Sequence, residues 1–285
     1  MKRFKVQLFD RLAKVTDSEA PISLASKRPT SPRGQVEGMS RKARRRLLVA
    51  LAMVSRSDPC HFVTLTYAEF VEDCAQWHRD LDSFAKALAR RFPHYCGFWR
   101  LQFQERGAPH FHLILWLCEE GQAEDVCNWA SVTWCRITGD NSEKHQKYGA
   151  DVQECGDFRA TGFYLALYQG KAEQDRKDIL TGRLWGMLGR SRLRLSPLSE
   201  TQLNTQEYHL FNRVLRNHYK SRHRESFAKS GFRKALQRER TKLQAFLPIE
   251  VSVPLMEWVC SRPTDDPLNT PGTWTPRKLS PSWQW

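Results

Sequence analysis

Residues 100–116 read RLQFQERGAPHFHLILW. GFWRLQFQ (97–104) is rich in aromatic and apolar residues and is expected to be a strand, ERGAP to turn the chain, and HFHLILWL (110–117) to be a second strand. Two such segments joined by a short Gly/Pro turn imply an antiparallel hairpin. The second strand is apolar enough to lie centrally in a sheet. Working outward, HFVTLTY (61–67) alternates and is rich in β-branched residues, and GADVQEC (149–155) suits a further short strand. Helical spacing marks 40–54, with Ser40 as a cap, and 80–92, with Leu81, Phe84, Ala85, Leu88 and Phe92 on one side. Residues 123–135 and 159–177 also suit helices, and the Gly-punctuated GRLWGMLGRSRL (182–193) closes the region. The expected class is α+β: a central antiparallel sheet with packed helices, plus a basic helical C-terminal region.

His110 and His112 stand one residue apart on the expected strand. Side chains alternate there, so both imidazoles project from one face. Two imidazoles can share a divalent ion, but a third ligand is needed. Gln102 and Gln104 on the preceding strand and Glu105 in the turn each offer an oxygen. Imidazole and oxygen donors with open positions suit Mg²⁺ or Mn²⁺ at a phosphate.

Tyr164, Tyr168 and Lys171 fall at i, i+4 and i+7, which places two phenols and one ammonium on one face of the expected helix. A phenol with a pKa near ~10 is a weak nucleophile at neutral pH. A neighbouring cation and a polarised phosphate lower the barrier to its attack.

The chain has 285 residues, with 45 Lys and Arg against 31 Asp and Glu, a net charge of +14. Residues 27–46 carry eight Lys or Arg against Glu37, and residues 213–242 carry eleven against Glu225 and Glu239. The remainder is close to neutral, so the excess sits in two segments, an arrangement suited to a phosphate backbone. The longest apolar runs are far shorter than the ~20 residues of a membrane-spanning helix. The opening MKRFKVQLFDRLAK lacks the apolar stretch of a signal peptide. The eight Cys contain no CxxC pair, so a zinc ribbon is not expected and reduced thiols in a cytoplasmic setting are.

Three segments, in this order, resemble the rolling-circle replication initiators of the HUH endonuclease superfamily. FVTLTY (62–67) resembles the first motif, and RLQFQERGAPHFHLILW the second, with His110-Phe111-His112 at its core. YLALYQGK (164–171) is similar to the tyrosine motif in its two-tyrosine, plasmid and phage form. GRLWG (182–186) resembles a Gly-Arg-aromatic-Trp-Gly stretch of plasmid members. Motif order favours an initiator over a conjugative relaxase. Two positions depart from the pattern. Gln102 stands where relatives carry Glu, and Leu167 where Lys is common.

The resemblance implies a nicking and rejoining enzyme for single-stranded origin DNA. In it His110, His112 and Gln102 or Glu105 hold the metal, Tyr168 attacks the phosphorus to give a 5′-phosphotyrosine, Tyr164 serves as second nucleophile, and Lys171 stabilises charge. No GxxxxGK[ST] motif occurs, so a host helicase is expected as partner, together with a host DNA polymerase. The expected divisions are a loosely ordered basic arm (1–38), the catalytic domain (39–193), a basic helical DNA-binding region (194–246) and a Pro-rich tail (247–285). The alternatives are a transposase with the same chemistry and a non-catalytic basic protein that binds DNA or RNA. A salt-sensitive complex indifferent to chelator would mark the latter.

Overall fold

The computed structural model of the chain describes residues 2–18, 38–56, 58–69, 71–104, 107–117, 123–140, 142–155, 158, 182–222 and 242–261. The strands among them are β1 (Phe4–Leu8), β2 (Ala13–Asp17), β3 (Cys60–Thr66), β4 (Cys96–Phe103), β5 (Pro109–Trp116), β6 (Ala150–Cys155), β7 (Trp185–Leu188), β8 (Ser199–Leu203) and β9 (Lys242–Ala245). The helices are α1 (Arg41–Met53), α2 (Cys74–Arg91), α3 (Ala123–Thr138), α4 (Glu143–Tyr148), α5 (Thr205–Arg222) and α6 (Ile249–Cys260). Two units divide the chain. One takes Pro29–Leu51 and Arg56–Arg194, and the other Met1–Arg28, Ala52–Ser55 and Leu195–Trp285.

The first unit is built on a five-stranded sheet of order β6-β3-β5-β4-β7, antiparallel at every pairing. The hairpin expected from residues 97–117 is β4–β5, and β5 is the central strand. The turn between them closes with Gly107 in the left-handed region (φ 85°), where the lack of a Cβ removes the steric penalty. Leu101, Phe111, Leu113 and Trp99 lie on one face of the sheet by register, and helices α2 and α3 pack on that face. Trp134 of α3 meets Phe111 edge-on, and Trp77 of α2 meets Phe103 likewise. Trp77, Phe84, Phe111 and Trp134 are fully buried. Each stabilises the fold by roughly 2–3 kcal/mol through area removed from water. The α+β class expected from the sequence is thus the class observed, in an arrangement consistent with an HUH endonuclease-like fold.

Helix α2 begins at Cys74, earlier than its apolar spacing suggests. The Asp73 carboxylate accepts the Ala75 N–H at 2.8 Å and so caps a polar first turn. Its apolar stripe (Trp77, Leu81, Phe84, Leu88) follows the 3–4 residue spacing of one buried face. The helix expected over 159–177 lies outside the described residues.

The second unit departs from expectation. Residues 4–17, read as part of a loosely ordered arm, form strands β1 and β2, and the C-terminal region read as mostly helix supplies β8 and β9. Together they make a four-stranded antiparallel sheet of order β8-β1-β2-β9. Phe4, Val6 and Leu8 alternate inward with Val15 and pack with Phe211, Leu215, Val251 and Leu255 in one core. The Pro-rich tail likewise begins with an ordered helix, α6, which carries Pro254 inside it. Helix α5 starts on a reciprocal cap. Asn204 Oδ1 accepts the N–H groups of Gln206 and Glu207, and the Glu207 carboxylate accepts the Asn204 N–H at 2.7 Å. Among the described residues no helix is long and apolar enough to cross a membrane.

Candidate active site

Antiparallel register gathers one set of side chains on the sheet face opposite α2 and α3. His110 of β5 pairs with Thr66 of β3 and Gln102 of β4. His112 pairs with Thr64 and Arg100. Directly opposed residues in an antiparallel sheet point to the same face, so this face carries two imidazoles flanked by two threonines, a glutamine and an arginine. His110, Gln102 and Arg100 are buried, and His112 is half-buried.

The two histidines approach through their Nε2 atoms, 2.9 Å apart. His112 is held from behind by the Thr64 hydroxyl, 3.1 Å from its Nδ1, and its ring stacks on Phe62 with centroids 5.4 Å apart. The end of β3 beside His110 is tied to both helices. Trp134 Nε1 donates to the Thr66 carbonyl at 2.9 Å, and the Tyr67 hydroxyl donates to the buried Asp80 carboxylate at 2.9 Å. Burial, then the neighbouring His110 and Arg100, push the His112 pKa down to about 3. This imidazole is therefore neutral at physiological pH and keeps a lone pair.

The geometry fits a shared divalent ion. Two metal–nitrogen bonds of about 2.1 Å at a right angle set the nitrogens about 3.0 Å apart, whereas a tetrahedral angle sets them about 3.4 Å apart. The observed 2.9 Å matches two adjacent positions of an octahedron. The donor set is poor in charge. Among the described residues no three His, Cys, Asp or Glu gather in one place. Of the two expected oxygen donors, Gln102 lies on the face beside His110, and Glu105 lies outside the described residues. Asp151 pairs with Thr64 on β6, two strands from His112 and about 10 Å away at ordinary strand spacing.

Tyr164, Tyr168 and Lys171 lie outside the described residues. The face also holds groups that sequence reading does not single out. Arg100 is almost wholly buried, and its guanidinium contacts the Met39 sulfur. Met39 sits immediately before Ser40, whose hydroxyl accepts the Ala43 N–H at 3.1 Å and caps α1. The basic first turns of α1, RKARRR, thus start next to the arginine that neighbours His112. Thr64 and Arg100 are findable in principle, because pairing across the hairpin turn puts Arg100 in register with His112, and Thr64 follows once β3 is set beside β5.

Residues 60–173 match the family model of the replication-associated proteins, ORF2 type. The match covers less than half of the chain. It starts at the first residue of β3, contains both histidines, and ends just past Lys171. No curated protein matches, and no solved structure matches. A replication-associated role is what the matched stretch supports.

Proposed function

We propose that the protein is a rolling-circle replication initiator that nicks and rejoins single-stranded origin DNA through a 5′-phosphotyrosine intermediate. The observation that carries this reading is the pair of Nε2 atoms 2.9 Å apart on the central strand, inside the stretch matched by the replication-associated family. His110, His112 and the amide oxygen of Gln102, or Glu105, are the ligands for Mg²⁺ or Mn²⁺. Bound there, the ion supplies Lewis-acid polarisation of a phosphoryl oxygen. The Tyr168 hydroxyl attacks the phosphorus and loses its proton. The bond from phosphorus to the 3′ oxygen breaks, that oxygen takes up a proton, and the 5′ phosphate stays esterified to the tyrosine. Lys171 neutralises charge on the phosphate, and Tyr164 performs the second transfer. One phosphoester replaces another, so rejoining needs no nucleotide cofactor. The cations of α1, which begins beside Arg100, support DNA held over this face.

The test is a denaturing gel of protein incubated with an origin oligonucleotide. A covalent adduct is expected with Mg²⁺ or Mn²⁺, none with EDTA, and none from the variant carrying Tyr164→Phe and Tyr168→Phe. An undiminished adduct in that variant overturns the assignment.

A further inference from the structure

We infer that Gly189–Arg194, a strap at the end of the five-stranded sheet remote from the histidines, binds the phosphate backbone of DNA. The identity of the polyanion rests on the function proposed above, while the strap's geometry is independent of it. Arg190, Arg192 and Arg194 are all exposed, and Ser191 between them is exposed as well. None of the three forms an ion pair with a described residue, although Asp58 lies close enough to feel the charge of Arg194. Asp58 is itself bound by Arg56.

The strap is held rigidly. Gly189 adopts φ 53°, and a Cβ there would come within 2.4 Å of the Tyr95 carbonyl oxygen. A short 3-10 turn follows, closed by Arg192 N–H to Gly189 O at 2.8 Å. Leu193 is fully buried and anchors the middle. The buried Arg56 guanidinium donates to the Arg192 carbonyl at 3.1 Å while lying over the Trp116 ring. Arg194 then takes φ 49° and is the one non-glycine residue among those described with a positive φ.

Three like charges within five residues repel each other, and Arg194 adds backbone strain. A solvated surface loop has no need of either. Fixed guanidiniums lose little freedom on meeting phosphates and bind them through paired N–H donors. The strap follows β7, whose last residue pairs with Gly97, so it sits at the start of β4. Gln102 is further along that strand, about 20 Å from the strap. This separation is about six stacked nucleotides of one strand. The strap would hold DNA outside the scissile step and not at it.

The experiment is fluorescence anisotropy of a labelled single strand of about 30 nucleotides, and of its duplex, between about 0.05 and 0.3 M salt. The variant carries Arg190→Gln, Arg192→Gln and Arg194→Gln. The slope of log affinity against log salt is expected to shrink by about 2 to 3 on duplex and about 2 on single strand. The melting temperature should hold, and three Arg→Lys changes should retain the slope. A control with Arg136→Gln, Lys144→Gln and Lys147→Gln, on α3 and α4, should leave the slope in place. An unchanged slope in the folded strap variant overturns the inference, as does an equal fall in the control. A protein that shows the strap's slope dependence but forms no covalent adduct would retain the strap and lose the nicking chemistry.

Discussion

Thr64 Oγ1 lies 3.1 Å from His112 Nδ1, across the β3–β5 ladder and on the face that carries His110. The contact decides what the opposite nitrogen can do. When the hydroxyl oxygen accepts a proton held on Nδ1, the Nε2 lone pair is free for a metal. When the hydroxyl donates, Nε2 carries the proton and cannot ligate. A partner on the far nitrogen is the usual means of setting a ligand's tautomer and orientation. Thr64→Val keeps the shape and removes the oxygen. It is expected to weaken Mn²⁺ binding roughly 10- to 100-fold, read by titration calorimetry, while Thr64→Ser retains most of the affinity. Equal affinities for the Val and Ser variants would refute this role.

Gln102 faces His110 from β4 as a neutral donor. A carboxylate in its place adds a full charge to a site that has none among the described ligands. Gln102→Glu should therefore tighten Mn²⁺ binding, by roughly tenfold or more, since affinity follows ligand charge. The buried carboxylate should also lower stability without metal, because a buried charge without its partner is costly. Calorimetric titration and urea unfolding with and without Mn²⁺ measure the two effects. An affinity unchanged or weakened by the substitution would show that Gln102 does not contact the ion.

Gly97 occupies the β4 position where β5 comes closest. A Cβ there would fall 2.1 Å from the Ile114 carbonyl oxygen and 2.8 Å from the Leu115 side chain. The carbonyl belongs to the central strand and cannot swing aside. Gly97→Ala is expected to cost at least about 1–3 kcal/mol in urea unfolding, the range for overpacking a tight interior. A variant as stable as the parent would show that β4 and β5 separate more easily than this packing implies.

Acid should destabilise the protein through two buried histidines outside the metal face. Burial lowers the pKa of His61, with Glu154 opposing, and burial lowers that of His145, with Asp140 opposing. Neither His61 ring nitrogen has a hydrogen-bond partner among the described residues. Below pH ~6.5 an unfolded chain takes up a proton at each site while the folded chain resists. The stability is therefore complete above that pH and falls as pH drops toward the depressed folded values. The urea midpoint should decrease from about pH 7 to about pH 5, and His61→Leu should flatten the decrease. Parallel curves for parent and variant would remove His61 from the account.

Legibility along the chain tracks the range of the interactions involved. The hairpin 97–117 is readable because its partners are adjacent and its turn carries Gly and Pro. The histidine pair is readable because alternation along a single strand puts both rings on one face. Strands β1 and β2 show the same alternation (Phe4, Val6, Leu8, then Ala13, Val15), but they sit among charged residues, and their outer partners β8 and β9 lie in the last third of the chain. Local pattern cannot reveal a partner at that distance, so residues 4–17 read as a loose arm. The start of α2 escapes the pattern because its first turn is polar and rests on the Asp73 cap, not on an apolar stripe.

Local chemistry in the chain is enough to name the class of fold, the paired imidazoles and the cationic segments, since each depends on residues close together in order. Folding alone settles the remainder: that Thr64 supports His112, that Arg100 joins the same face, and that three arginines are locked at the far end of β4. Those relationships come from strand register and from buried anchors such as Leu193 and Arg56. They follow from hydrogen bonds and packing between segments far apart in the chain, which no single stretch of sequence encodes.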